Sequence, residues 1–254
     1  MSPLPADEIL ANHAHRPWGL PQRSWVMAQS WQKLLFAHWV LPAEQVRPMI
    51  PSSLELDTWN GMAYIGVVPF LMNHVHPRFV PEIPSVRRFP ELNVRTYVTY
   101  QDKPGVWFFS LEAANALAVR VARVAFHLPY FDADMAMTQH LNGWIQYDSR
   151  RTHRGENSAD FIARYRPTSD IYRSESGSLD AWLTERYCLY TVDASGQLYR
   201  GEIHHAPWQL QHAEADIVVN SMGRASSLSF PDEPPILHYA HNIDVLTWYL
   251  EPVD

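Results

Sequence analysis

Glu91-Leu92-Asn93-Val94-Arg95-Thr96-Tyr97-Val98 is the stretch on which the fold turns. Alternate residues of a strand share a face. One face here carries Glu91, Asn93, Arg95 and Tyr97, and the other carries Leu92, Val94, Thr96 and Val98. A sandwich with one wet side sends the polar set outward. A barrel around a lined cavity sends the same set inward, toward a ligand. The alternation fits both arrangements.

Strand signals continue on either side of it. Residues 63–70 form an apolar run after the Asn60-Gly61 turn, and residues 105–111 follow Lys103-Pro104-Gly105. Residues 126–131, 141–147 and 186–192 read as further strands. Residues 198–205 are expected to pair with 186–192 across Asp193-Ala194-Ser195-Gly196. Residues 30–40 are apolar with Trp31, Leu34, Leu35 and His38 at helical offsets, and fit a helix or a strand. Short helices are expected at 42–47, with proline in the first turn, and at 178–185, with Ser178 as N-cap. The alanine-rich residues 112–123 give the strongest helical signal. Residues 149–178 read as loops and residues 1–29 as an irregular arm. The expectation is a single domain, 1–254, mainly β with a few short helices (α+β), built on a curved or closed antiparallel sheet.

Composition sets bounds on function. With 10 Trp, 12 Tyr and 10 Phe in 254 residues, the chain can build a large core and still line a pocket. A net charge of -7 without a basic run disfavours nucleic acid and anionic membranes as partners. The lone Cys188 rules out an intrachain disulfide and reads as a buried thiol. The first residues lack a signal-peptide pattern, and no apolar stretch is long enough to span a bilayer, so a cytoplasmic location is expected. Phosphate loops, dinucleotide fingerprints and serine-hydrolase elbows are missing from the sequence, and no cofactor is expected. His74 and His76 would share a strand face and, with His204 or His205, begin a metal site. No recognised metal motif supports that, and no metal is expected.

Ala122-Arg123-Val124-Ala125-Phe126-His127-Leu128-Pro129-Tyr130 resembles the Gly-Arg-Glu-x-x-Gly-Phe-Pro-Lys segment that carries the Schiff-base lysine of acetoacetate decarboxylases. The arginine and the proline keep their spacing. Tyr130 stands where the lysine belongs, and Phe131 where those enzymes have a second one. A tyrosine has no amine and forms no imine with a keto acid. The stretches from His38-Trp39-Val40 through Ile50-Pro51, Gly61-Met62-Ala63-Tyr64-Ile65-Gly66-Val67-Val68-Pro69-Phe70 and Phe89-Pro90-Glu91-Leu92-Asn93-Val94-Arg95-Thr96-Tyr97-Val98 are similar to a narrower family. So are Gly105-Val106-Trp107-Phe108-Phe109-Ser110-Leu111 and Glu185-Arg186-Tyr187. That family is the uncharacterised YqjF-like family (DUF2071), grouped with the acetoacetate decarboxylase superfamily. The resemblance spans roughly residues 30 to 210. It implies a curved, barrel-like β-fold around an apolar cavity, and it implies no reaction.

Phe89-Pro90-Glu91 also resembles the decarboxylase Tyr-x-Glu, whose glutamate faces the reacting lysine. The resemblance therefore implies that Glu91 faces the cavity near Tyr130, with Arg123 beside them. Glu91 and Arg95 lie about 13 Å apart along a strand and cannot pair with each other. Glu91 and Tyr130 are the candidate catalytic residues, for proton shuttling and hydrogen-bond donation. Asn93, Arg95, Tyr97, Arg123 and Arg186 are the candidate ligand-binding residues, the arginines as forks for a carboxylate. For Arg186 a structural ion pair with a neighbouring carboxylate competes with that role. Two classes of function follow. One is a small-molecule-binding cavity. The other is an acid–base enzyme of lyase, hydratase or hydrolase type acting on a small carbonyl or carboxylate compound. A homo-oligomer is compatible with either.

Overall fold

The computed structural model describes residues 3–82 and 87–253. Thirteen strands dominate it. They are β1 (Met27–Pro42), β2 (Glu55–Leu56), β3 (Met62–Pro77), β4 (Arg88–Tyr100), β5 (Lys103–Ala113), β6 (Tyr130–Gln139), β7 (Ile145–Arg151), β8 (Asp160–Pro167), β9 (Cys188–Val192), β10 (Leu198–His205), β11 (Leu210–Asn220), β12 (Ile236–Thr247) and β13 (Glu251–Pro252). Between them lie helices α1 (Ala6–Ala11), α2 (Ala43–Val46), α3 (Ala116–Phe126), α4 (Leu179–Thr184) and α5 (Met222–Ala225).

All the strands belong to one sheet, in the order β13-β10-β9-β5-β6-β7-β8-β11-β12-β1-β3-β4-β2. Two more pairings, β10 with β12 and β5 with β4, bring that sheet back onto itself. The circuit β5-β4-β3-β1-β12-β10-β9 is thereby a closed barrel. Strands β6-β7-β8-β11 leave the barrel at β5 and rejoin it at β12 as an outer layer, while the two-residue β2 and β13 edge β4 and β10. Pairing is mostly antiparallel, but β5 runs parallel to both β6 and β9. Gly105 allows the β5–β9 approach, because a Cβ there would lie 2.8 Å from the Cys188 carbonyl oxygen.

This layout answers the question left by the alternation in β4. Both of its faces are buried. Leu92, Val94 and Val98 pack with Tyr147, Phe161 and Tyr165 of the outer layer. The polar face therefore turns into the barrel, with Glu91 2% exposed and Asn93 and Arg95 8% exposed each.

β-bulges explain where the sequence is misleading. Residues 30–40 lie on β1, not on a helix. Lys33 takes φ 52° and the β1–β3 register slips between Gln32 and Ala37. Inward residues therefore run Gln29, Trp31, then Leu34, and the three-residue step imitates a helix. In β5 the register slips opposite Val94 and Arg95, with Phe109 as the extra residue. Phe108 and Leu111 consequently share the inner face, while Ser110 and Glu112 point outward.

Other boundaries differ from the sequence expectation. The helix expected at 112–123 starts only at Ala116, where the Asn115 side chain accepts from the Leu117 N–H as an N-cap. Glu112 and Ala113 still belong to β5. Of the strand expected at 126–131 only Tyr130 and Phe131 are extended. Phe126 ends α3, His127 takes φ 49°, and β6 starts at Tyr130. The strand expected at 141–147 lies at Ile145–Arg151, and the expected loop 149–178 contains β8. Arg186 and Tyr187 precede β9. The hairpin β9–β10, the 42–47 helix and the Ser178 cap, whose side chain accepts from the Ala181 N–H at 3.2 Å, form as expected. The arm is not wholly irregular: it holds α1, and Ile9 packs on Leu246 and Trp248 of the barrel. No helix among the described residues is long and apolar enough to cross a membrane.

Candidate functional site

The barrel encloses a cavity of about 340 Å³. Alternation along its strands builds the walls: Met27, Gln29 and Trp31 from β1, Val68, Phe70 and Met72 from β3, and Phe89, Glu91, Asn93 and Arg95 from β4. Val106, Phe108 and Leu111 come from β5, and Trp208, Trp248 and Leu250 close the far side. Leu117 and Phe126 of α3 also line it. Leu117 is 56% exposed, which places α3 at a mouth. The lining is apolar except at a few points, the usual make-up of a small-molecule site.

One polar point is an acid paired with a phenol. The Tyr130 hydroxyl donates to Glu91 Oε1 at 3.0 Å. Tyr130 reaches Glu91 because β6 starts beside β5, with Tyr130 opposite Leu111. Behind the strand, the Tyr147 hydroxyl donates to the Glu91 carbonyl oxygen at 2.7 Å. Burial raises the Glu91 pKa to about 8, against the Tyr130 hydrogen bond and with a smaller push from Glu112. Burial and Glu91 together hold Tyr130 well above its ordinary range. At neutral pH both groups are therefore uncharged and both carry a proton.

The second polar point is cationic. Arg95 is buried, its guanidinium 5.3 Å from the Phe36 ring centre and 5.8 Å from that of Tyr97. Its Nε and Nη2 have no hydrogen-bond partner, and no ion pair among the described residues involves it. Arg186 also lies against this tyrosine, 4.6 Å from its ring centre. It donates through Nη1 to Asp57 at 2.6 Å and through Nε to the Trp182 carbonyl at 2.8 Å, and its Nη2 is unpartnered. The Oδ1 of Asn93, between the two polar points, also lacks a partner. His38 adds no charge here. Burial and the two arginines push its pKa well down. The Tyr97 hydroxyl donates to the Leu183 carbonyl, so His38 Nε2 carries a proton and donates to Tyr97 at 2.6 Å.

Not every residue singled out from the sequence reaches the cavity. Glu91, Asn93, Arg95, Tyr130 and Arg186 all line it. Tyr97 lies fully buried beyond its end, where its hydroxyl is used by His38 and Leu183. Arg123 is exposed on α3, donating to the Tyr130 carbonyl oxygen at 3.0 Å and contacting His153. The helix that begins at Ala116 carries it to the outside. Arg186 combines both readings made of it, an ion pair with Asp57 and a place in the wall.

Sequence reasoning missed the far wall. Glu202 lines the cavity and is bound by Arg16 at 2.9 Å and by the Trp18 indole N–H at 2.9 Å. The arm thus seals this side through a buried ion pair. His205 also lines the cavity, its pKa pushed down to about 4 by burial. Glu112 was hidden inside the expected helix; it turns away from the cavity to a buried pair with Arg151. No local pattern marks these residues, because each partner lies far away in sequence.

The remaining chemistry-bearing residues go elsewhere. His74 contacts Glu82 and His76 the Pro77 carbonyl, while His204 bonds to the Ile9 carbonyl beneath the arm. Among the described residues no three His, Cys, Asp or Glu side chains gather as metal ligands. Cys188 is buried, its pKa raised to about 12 mainly by burial. Neither Lys33 nor Lys103 lines the cavity, and the Lys103 amine sits over the Trp18 ring at 5.6 Å.

The family model DUF2071, described as "Uncharacterized conserved protein (COG2071)", matches residues 28–244. The "Uncharacterized protein YqjF" of Bacillus subtilis (strain 168) is 49% identical over 231 residues, 91% of this chain and 94% of that protein. Among solved structures, the enduracididine biosynthesis enzyme MppR complexed with pyruvate matches with a TM-score of 0.61 at 10% identity, over 94% of this chain and 93% of that one. An acetoacetate decarboxylase from Legionella pneumophila also matches at 0.61, with 11% identity, over 97% and 95%. At such identities the likeness is one of fold.

Proposed function

We infer, from the premise that this chain belongs to the DUF2071 family, that its barrel is a binding site for a small organic acid, with Arg95 anchoring the carboxylate. The observation that carries this reading is a buried guanidinium on the cavity wall without an acidic partner. Burying a charge is costly unless it is paired and hydrogen-bonded. A carboxylate ligand supplies both, and the apolar walls suit a hydrocarbon body. Pyruvate, itself a small carboxylate, is bound by one protein of similar fold.

Straight-chain acids such as hexanoate should raise the melting temperature, while hexanol at equal concentration should do so much less. Arg95→Met should keep the fold and lose about ten- to hundredfold in hexanoate affinity, the worth of a hydrogen bond to a charged group. Calorimetric titration of both proteins decides it. Equal affinities would remove Arg95 as the anchor.

A second reading, catalysis, is favoured by the hydrogen bond between Tyr130 and Glu91. Two neutral donors at one wall suit proton transfer to a carbonyl oxygen. Under this reading Glu91→Gln and Tyr130→Phe abolish turnover but retain ligand affinity. In a passive site they change affinity alone. Schiff-base chemistry fits neither, since both lysines lie off the cavity wall. Borohydride added with acetoacetate or pyruvate should therefore leave the protein mass unchanged. A lysine-linked adduct in the mass spectrum would contradict this.

A further inference from the structure

The cavity has two polar points of different character on one strand, and that separation constrains the ligand further. Arg95 and Glu91 are four residues apart on β4, a spacing of about 13 Å along an extended chain. The inner alternation is unbroken between them, since the bulge opposite lies in β5 and not in β4. Their side chains also have separate surroundings. The Arg95 guanidinium lies against the Phe36 and Tyr97 rings, whereas the Glu91 carboxyl is held by Tyr130 of β6. Between them Asn93 and the apolar residues of β3 and β5 line the wall.

At the cationic point a second guanidinium nitrogen, Nη2 of Arg186, is buried and unpartnered like Nη2 of Arg95. Asp57 neutralises only one of the two arginines, so the pair retains one net positive charge. At the other point, Tyr130 occupies Oε1 of Glu91 as donor. A protonated Glu91 then carries its own hydrogen on the other oxygen and has that O–H to give. An anion suits the first point. A neutral oxygen acceptor suits the second.

We propose that the ligand is a bifunctional acid, with a carboxylate at Arg95 and Arg186 and a carbonyl, ether or hydroxyl oxygen several carbons away at Glu91 and Tyr130. This rests on the organic-acid reading above and adds the spacing. Acids with an oxygen close to the carboxylate are too short. With carbon–carbon bonds of about 1.5 Å, acetoacetate places its two carbonyl carbons only about 3 Å apart or less. An eight-carbon chain comes nearer to spanning the wall.

The test is calorimetric titration with acetoacetate, octanoate and 7-oxooctanoate. The 7-oxo acid should bind roughly three- to tenfold more tightly than octanoate, the value of one neutral hydrogen bond, and acetoacetate should be the weakest. Glu91→Leu should remove the preference for the oxo acid and leave octanoate affinity intact. Glu91→Gln keeps an N–H donor and should retain the preference, which guards against a variant that merely folds poorly. Equal binding of octanoate and 7-oxooctanoate overturns the bifunctional assignment while the Arg95 anchor stands. Failure of both eight-carbon acids to bind overturns the anchor and the assignment together.

Discussion

Glu91→Gln is expected to stabilise the protein by on the order of 5 kcal/mol at pH 9, and by less than about 1 kcal/mol at pH 5. The folded-state pKa of about 8 lies above the ordinary 4.5. Below pH 4.5 the carboxyl is protonated in both states and contributes no difference. Between 4.5 and about 8 the unfolded chain releases the proton while the folded protein retains it. Stability then falls by about 1.4 kcal/mol per pH unit from this group alone, and levels off above the folded pKa. Glutamine still accepts from the Tyr130 hydroxyl but has nothing to ionise. Urea unfolding of both proteins at pH 5, 7 and 9 measures the divergence. Curves that stay parallel across this range would show that Glu91 does not hold its proton in the folded state.

Arg151→Met should cost about 3–5 kcal/mol at pH 7, the usual penalty for stranding one half of a buried ion pair. Arg151 donates through Nε to Glu112 Oε1 at 3.0 Å and contacts the same oxygen through Nη2. Both side chains are almost wholly buried. Glu112 has the Ser110 hydroxyl as a further donor at 3.1 Å, too little to replace a cation. Burial already raises the Glu112 pKa, and Arg151 opposes the rise, so the deficit should shrink as pH falls and the acid takes up a proton. Adding Glu112→Gln to Arg151→Met removes both charges and should recover most of the loss. A single variant costing less than about 1 kcal/mol, or a double variant no better than the single, would contradict this account.

The strand content of the chain was legible because β-branched and aromatic residues alternate or run together wherever a strand is buried on one or both faces. Residues 63–70 and 92–100 sit within β3 and β4. Bulges were not legible. The step from Trp31 to Leu34 looked helical because Lys33 resets the parity of β1, and nothing local in the sequence announces a positive φ at a lysine. Residues 112–123 misled for a different reason. Alanine favours a helix, but pairing with Leu92 and Glu91 keeps Glu112 and Ala113 in the sheet.

At the candidate site, the polar face of β4 could be read but not its direction. That direction depends on strands β7 and β8 covering Leu92 and Val94 from more than fifty positions away. Glu202 and Arg16 were illegible for the same reason, their contact joining the arm to β10. Arg123 was misplaced because the resemblance to the decarboxylase segment set it beside Glu91 and Tyr130, whereas the expected helix carries it to the surface.

The double burial of β4 also bears on how this molecule can change. Its odd positions 91, 93 and 95 meet whatever occupies the barrel, and its even positions 92 and 94 meet the outer layer. On the proposed binding reading, ligand choice and structural integrity are therefore written in interleaved letters of one strand. A library randomised at Asn93 with Leu92 and Val94 held constant can retune specificity without disturbing the packing behind it. The reverse library alters robustness and leaves recognition in place. Divergence of binding preference within such a barrel needs no insertion and no new loop, only substitutions of one parity.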